Sequence, residues 1–127
     1  GIPNACAKQC PGRIRFVGLL DDPESPVHKI VIKHEVALPL YPEKGTSPNV
    51  FYIPPISPPR KGNYGKNPLD EARIPTEKLV KLFGDKVKDV LAKFEKEIMI
   101  VRSGGKSEIL DLLIGRTEQD RYKLGWF

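Results

Sequence analysis

Two cysteines, Cys6 and Cys10, are the residues whose type and spacing could carry chemistry in this chain. They stand in the element Cys6-Ala7-Lys8-Gln9-Cys10-Pro11, a C-x3-C-P arrangement. A thiolate can act as a nucleophile, as a disulfide partner or as a soft, anionic metal ligand. Two cysteines are too few for a disulfide framework. On these six residues alone, two free thiols or an incidental disulfide stand beside the metal-ligand reading. A catalytic thiol fits less well: the histidines, His28 and His34, lie in an apolar, helix-like segment, and no triad arrangement can be read.

The metal-ligand reading has a definite form. In bacterial iron–sulfur sites the run is C-x2-C-x2-C-x3-C-P, and its fourth cysteine ligates a different cluster from the first three. The loop before the third cysteine wraps one cluster. The chain then turns, delivers the last cysteine to the neighbouring cluster, and proline ends the loop. Cys6, Cys10 and Pro11 match the end of such a run.

Three zones of chain must position these residues. Residues 1–24 hold both cysteines, and the alternation from Arg13 to Val17 predicts a short strand closed by Asp21-Asp22-Pro23. In residues 25–71, Ser25-Pro26 reads as an N-cap followed by proline at the first helical position. A short helix over Val27 to about Glu35 follows, with Val27, Ile30, Val31 and His34 on one face, although the β-branched content leaves a strand open. Prolines then stand at 39, 42, 48, 54, 55, 58 and 59, which forbids a helix or a central strand. This stretch reads as an extended strap too apolar for a flexible linker, so Leu38, Leu40, Tyr41, Val50, Phe51, Tyr52, Ile53 and Ile56 are expected to be buried. The segment from Lys61 to Asp70 reads as an exposed loop.

Residues 72–127 read as helical. A helix opening at Pro75-Thr76-Glu77 carries Leu79, Val80, Leu82 and Phe83 and stops at Gly84, with Asp85 placed to cap the next. That next helix bears the stripe Val87, Val90, Leu91, Phe94 and Ile98. Ser103-Gly104-Gly105 breaks the pattern. Lys106 or Ser107 then begins a helix with Ile109, Leu110, Leu112 and Leu113, closed by Gly115. Thr117 is placed to cap a last turn, and the aromatic end from Arg121 to Phe127 is expected to dock on another surface. The fold class expected is α+β, mostly helical, with an extended proline-rich strap.

The totals narrow the functional classes. The chain has 127 residues, 13 prolines, 11 glycines and a net charge of +5. Acidic and basic residues interleave, as in Gly84 to Glu97, so a solvated mixed-charge surface is favoured over nucleic-acid binding. No run of about eighteen apolar residues exists, so no transmembrane helix is predicted. Residues 1–10 lack the apolar core of a signal peptide. The chain opens on Gly1 and has its single methionine at Met99, so a processed or excerpted chain is expected.

Beyond the cysteines, longer blocks stand out: Cys6–Cys10 followed by Gly12-Arg13-Ile14-Arg15-Phe16-Val17-Gly18, Ser25-Pro26-Val27-His28-Lys29, Ala37-Leu38-Pro39-Leu40-Tyr41-Pro42-Glu43, and Pro48 to Pro58. With these blocks the chain resembles the four-cluster iron–sulfur (beta) subunits of nitrate-reductase-like molybdopterin oxidoreductases. That family includes selenate, chlorate and perchlorate reductases and dimethylsulfide and ethylbenzene dehydrogenases. The likeness is specific from Gly1 to about Leu82 and weaker afterwards, and it implies the C-terminal portion of a ferredoxin-like, multi-cluster subunit.

The resemblance implies that Cys6 joins upstream cysteines on one [4Fe-4S] cluster, while Cys10 reaches an adjacent cluster, a [3Fe-4S] centre in nitrate reductases. It implies charge effects on cluster potential from Lys8, Arg13 and Arg15. Two thiolates cannot hold a cubane alone, so the fragment by itself is expected to bind no native cluster. The implied partners are the molybdopterin catalytic (alpha) subunit, the upstream part of the same subunit and, in some complexes, a haem-containing membrane or periplasmic subunit. The implied complexes are membrane-associated and face either the cytoplasm or the periplasm. A metal-free protein–protein interaction module is the alternative.

Overall fold

The computed structural model describes residues 4–55, 74–117 and 120–123. The order of elements is α1 (Ala5–Lys8), β1 (Val17–Gly18), α2 (Pro26–His28) running into a π-helical turn (Lys29–Lys33), a 3-10 turn (Pro42–Lys44), α3 (Thr76–Phe83), α4 (Lys86–Arg102), α5 (Glu108–Leu113) and β2 (Tyr122–Lys123). The described chain is thus mostly helical with a minor β component, as expected. It divides into two compact units, residues 1–36 with 97–127, and residues 37–96.

The unit from Ala37 to Lys96 begins with the strap. Leu38 and Tyr52 exchange two backbone hydrogen bonds of 2.8 Å, an isolated antiparallel bridge. Tyr41 N–H donates to the Leu82 carbonyl at 2.7 Å and so ties the strap to α3. Gly84 ends α3 at φ 82°, and a Cβ there would lie 3.2 Å from Pro42 Cγ, so both conformation and crowding call for glycine. The expected stripe on α4 is real: Val87, Val90 and Phe94 are buried, and Leu91 is half-buried. Ala37, Leu38, Leu79 and Phe83 are the other buried hydrophobic residues described in this unit.

The expectation that the strap buries all its apolar side chains is overturned. Leu38 and Pro54 are buried, but Tyr41, Val50 and Tyr52 are 45%, 58% and 46% exposed. An extended segment sends successive side chains to opposite faces, so one covering surface can bury only one face. Ile56 and the expected loop from Lys61 to Asp70 lie outside the described residues.

The other unit joins the beginning of the chain to its end. Val17 pairs with Tyr122 and Gly18 with Lys123 in parallel register. The strand expected over Arg13 to Val17 is shorter and later, because Arg13 adopts φ 52° and its N–H donates to the Cys10 carbonyl at 3.1 Å. A left-handed residue breaks extended pairing. Ser25 and Pro26 stand at the expected cap and first helical positions, but the Ser25 side chain makes no cap bond. The helix that follows widens after one turn: His34 N–H donates to the Lys29 carbonyl and Val36 N–H to the Ile30 carbonyl. The first of these, i→i−5, marks a π-bulge, and the second spans six residues. Ser107 caps α5, its Oγ accepting from Leu110 N–H at 3.1 Å and donating to Glu97 Oε2. The expected Thr117 cap also forms: Thr117 N–H donates to Asp120 Oδ2 at 2.7 Å, and Asp120 N–H to Thr117 Oγ1 at 3.4 Å.

Candidate functional site

Cys6 lies on α1 and is exposed; Cys10 follows the end of that helix and is half-buried. Neither is in a disulfide. The short helix forms because Asn4 caps it, Oδ1 accepting from Ala7 N–H at 2.9 Å. One turn of helix is not stable alone. Its support comes from the far end of the chain. Arg121 Nη1 donates to the Ala7 carbonyl at 3.1 Å and Tyr122 Oη to the same carbonyl at 3.2 Å. Arg15 Nη1 reaches the Cys6 carbonyl at 3.4 Å.

Around Cys10 the backbone supplies an anion-favouring pocket. The backbone amides of Ile14, Gly12 and Arg13 favour the anionic form of the Cys10 sulfur. The Ile14 amide is the largest influence, and together with the positive charge of Arg15 these amides hold the thiol below its ordinary pKa against partial burial. Arg13 lies in this turn with left-handed backbone, φ 52°. Such nests of amides are recurrent cradles for anions, iron–sulfur ligands among them. Cys10 is thereby biased toward the thiolate, the form that binds metal.

Beside Cys10 opens a hollow of about 480 Å³ lined by Lys8, Gln9, Cys10, Pro11, Arg13, Arg116, Thr117 and Arg121. Lys8 and Arg13 were singled out in the sequence. Arg116 and Arg121 were not, since more than a hundred residues separate them from Cys10. The available signal was the aromatic end expected to dock: its described part does so, through Tyr122 and through Val17 N–H donating to the Arg121 carbonyl at 2.9 Å. Arg13 Nη1 closes the other side by donating to the Arg116 carbonyl at 2.7 Å.

The histidines serve elsewhere. His28 Nδ1 contacts the Leu20 carbonyl at 2.5 Å, and His34 Nε2 lies 3.5 Å from Glu108 Oε1. No group of three or more His, Cys, Asp or Glu side chains is arranged as a metal site among the described residues. The donor chemistry of Cys6 and Cys10 therefore fits part of a thiolate ligand set, to be completed by donors beyond the two cysteines. No helix among the described residues is long and apolar enough to cross a membrane.

No family model matches the chain. It is 49% identical over 124 residues to the dimethylsulfide dehydrogenase subunit beta of Rhodovulum sulfidophilum, covering 98% of this chain and 38% of that protein. It is 46% identical over 123 residues to the respiratory nitrate reductase subunit beta of Haloferax mediterranei, covering 97% of this chain and 35% of that protein. A shorter match, 45% over 53 residues, covers 42% of this chain and 22% of the arsenate respiratory reductase iron-sulfur subunit of a Shewanella species. The chain thus spans a little over a third of the length of the first two relatives. Over nearly its whole length, the chain belongs to the beta-subunit family of dimethylsulfide dehydrogenase and the respiratory nitrate and selenate reductases.

Proposed function

We propose that this chain is part of an iron–sulfur electron-transfer subunit that passes electrons to or from a molybdopterin catalytic subunit. The observation that carries the reading is the pair of free thiols, Cys6 and Cys10, the latter lining a hollow with cationic side chains, in a chain of this family. Cys6 and Cys10 supply two ligands, Cys6 to a [4Fe-4S] cluster and Cys10 to its neighbour. The remaining cysteines come from the rest of the subunit. Bound clusters supply one-electron transfer without proton or group transfer.

The chain's own residues divide the remaining tasks. The amides of Gly12, Arg13 and Ile14 hold negative charge at Cys10. Asn4, Arg121 and Tyr122 hold the turn that carries Cys6. In the other unit, the strap leaves Tyr41, Val50 and Tyr52 exposed, apolar side chains suited to docking on the catalytic subunit. Their exposure is also what favours the second reading, a metal-free interaction module.

Anaerobic purification with and without a co-expressed, cysteine-rich upstream segment separates the two. Iron and the broad visible absorbance of thiolate-ligated clusters are expected only with that segment present. A folded chain without iron in both preparations leaves the interaction module.

A further inference from the structure

The hollow beside Cys10 has four cationic side chains in its wall, Lys8, Arg13, Arg116 and Arg121, and no carboxylate among the described residues that line it; Arg116 is paired with Asp111 at 3.7 Å. Three of these are exposed, as surface cations usually are. Arg121 differs: only 4% of it is exposed. A guanidinium withdrawn from water normally sits against a carboxylate, because an unpaired buried charge is costly. Arg121 forms no ion pair among the described residues, where its neighbours are the Ala7 carbonyl and the ring of Tyr122, 4.8 Å from its guanidinium carbon. Its Nε has no hydrogen-bond partner there. The fold nevertheless makes room for it. A Cβ at Gly115 would fall 2.5 Å from Arg121 Cδ and 2.6 Å from Cγ, so only glycine leaves the side chain its place.

We propose that Arg121 is the fixed counter-charge of the iron–sulfur cluster held through Cys10 and raises that cluster's reduction potential. The inference rests on the reading of Cys10 as a cluster ligand. A thiolate-ligated cluster is anionic, and one-electron reduction adds one negative charge while no bond breaks. A cation fixed at low dielectric stabilises the reduced form more than the oxidised form. Arg121 is suited to this because its position is fixed by the bond to the Ala7 carbonyl. It also supports the Cys6 turn, so charge and geometry must be tested apart.

The experiment is a redox titration followed by electron paramagnetic resonance on the anaerobically purified iron–sulfur subunit. Arg121→Gln is expected to lower the midpoint of one cluster, so that its reduced-to-oxidised ratio at the wild-type midpoint falls about tenfold, ~59 mV for one electron. Arg121→Lys keeps the charge and is expected to restore most of the wild-type value. Lys88→Gln removes an exposed cation of the other unit and should leave the midpoint in place. A folded Arg121→Gln protein with the wild-type midpoint, or an equal shift in Arg121→Lys, overturns the proposal. Should Arg121→Gln fail to fold, Gly115→Ala decides, because a Cβ there meets Arg121 Cδ at 2.5 Å and pushes the guanidinium from its place: a lower midpoint of the same cluster supports the proposal, and an unchanged one overturns it. A wild-type subunit without iron instead sinks the underlying ligand reading.

Discussion

At the residue scale, the two cysteines share a motif but not an environment. Cys10 sits among the amides of Gly12, Arg13 and Ile14, and its thiol is depressed below the ordinary range. Its alkylation by iodoacetamide in the metal-free chain should therefore rise with pH at a midpoint below that of an unperturbed thiol. A midpoint at the ordinary thiol value would remove the amide cradle from the account. Glu108 shows the same sign for a different cause: the Lys33 ammonium bonds it at 2.6 Å, and His34 adds positive charge. A carboxyl depressed in the folded state contributes stability above its unfolded pKa and loses it as pH falls through the folded value. Glu108→Gln should accordingly narrow the stability difference between neutral and acidic pH. Urea titrations at the two pH values read that difference, and an unchanged pH dependence would contradict it. The cysteines were legible as ligand candidates from spacing alone. The amide cradle was not, because it lies in a turn with left-handed backbone at Arg13, a bulky residue with no compositional signal for that conformation.

At the element scale, helices were the most readable part of the chain. Periodicity placed α3, α4 and α5, and Ser107 and Gly84 marked boundaries that the structure keeps. Ser107→Ala removes the side-chain acceptor at the α5 N-cap and the bond to Glu97, and should cost about 1–2 kcal/mol in chemical denaturation. Phe94→Ala deletes a fully buried ring from the α4 stripe, and a loss of about 3–5 kcal/mol is expected from the same measurement. A loss under about 1 kcal/mol would mean that α4 does not pack as described. The segments read less well are those whose geometry is set by tertiary contacts. The π-helical turn at Lys29–Lys33 looks like ordinary helix in sequence, and the strand at Val17–Gly18 depends on a partner that arrives at Tyr122.

At the scale of the whole molecule, the candidate site is built from both ends of the chain. Residues 1–36 and 97–127 form one unit, and within it Arg121 and Tyr122 complete a site opened by Cys6 and Cys10. Sequence pattern has no means of placing partners so far apart, beyond the suggestion that an aromatic end needs a surface. The proposed ligand reading is consistent with a chain that has only two cysteines and covers a little over a third of the first two relatives. The most direct test of the ligand assignment is iron per subunit and the electron paramagnetic resonance spectrum of anaerobically purified Cys6→Ser and Cys10→Ser variants. Each variant should lose or alter one cluster signal, a different one in each case, while circular dichroism stays that of the wild type. Wild-type iron content and an unchanged spectrum in both variants would contradict the assignment.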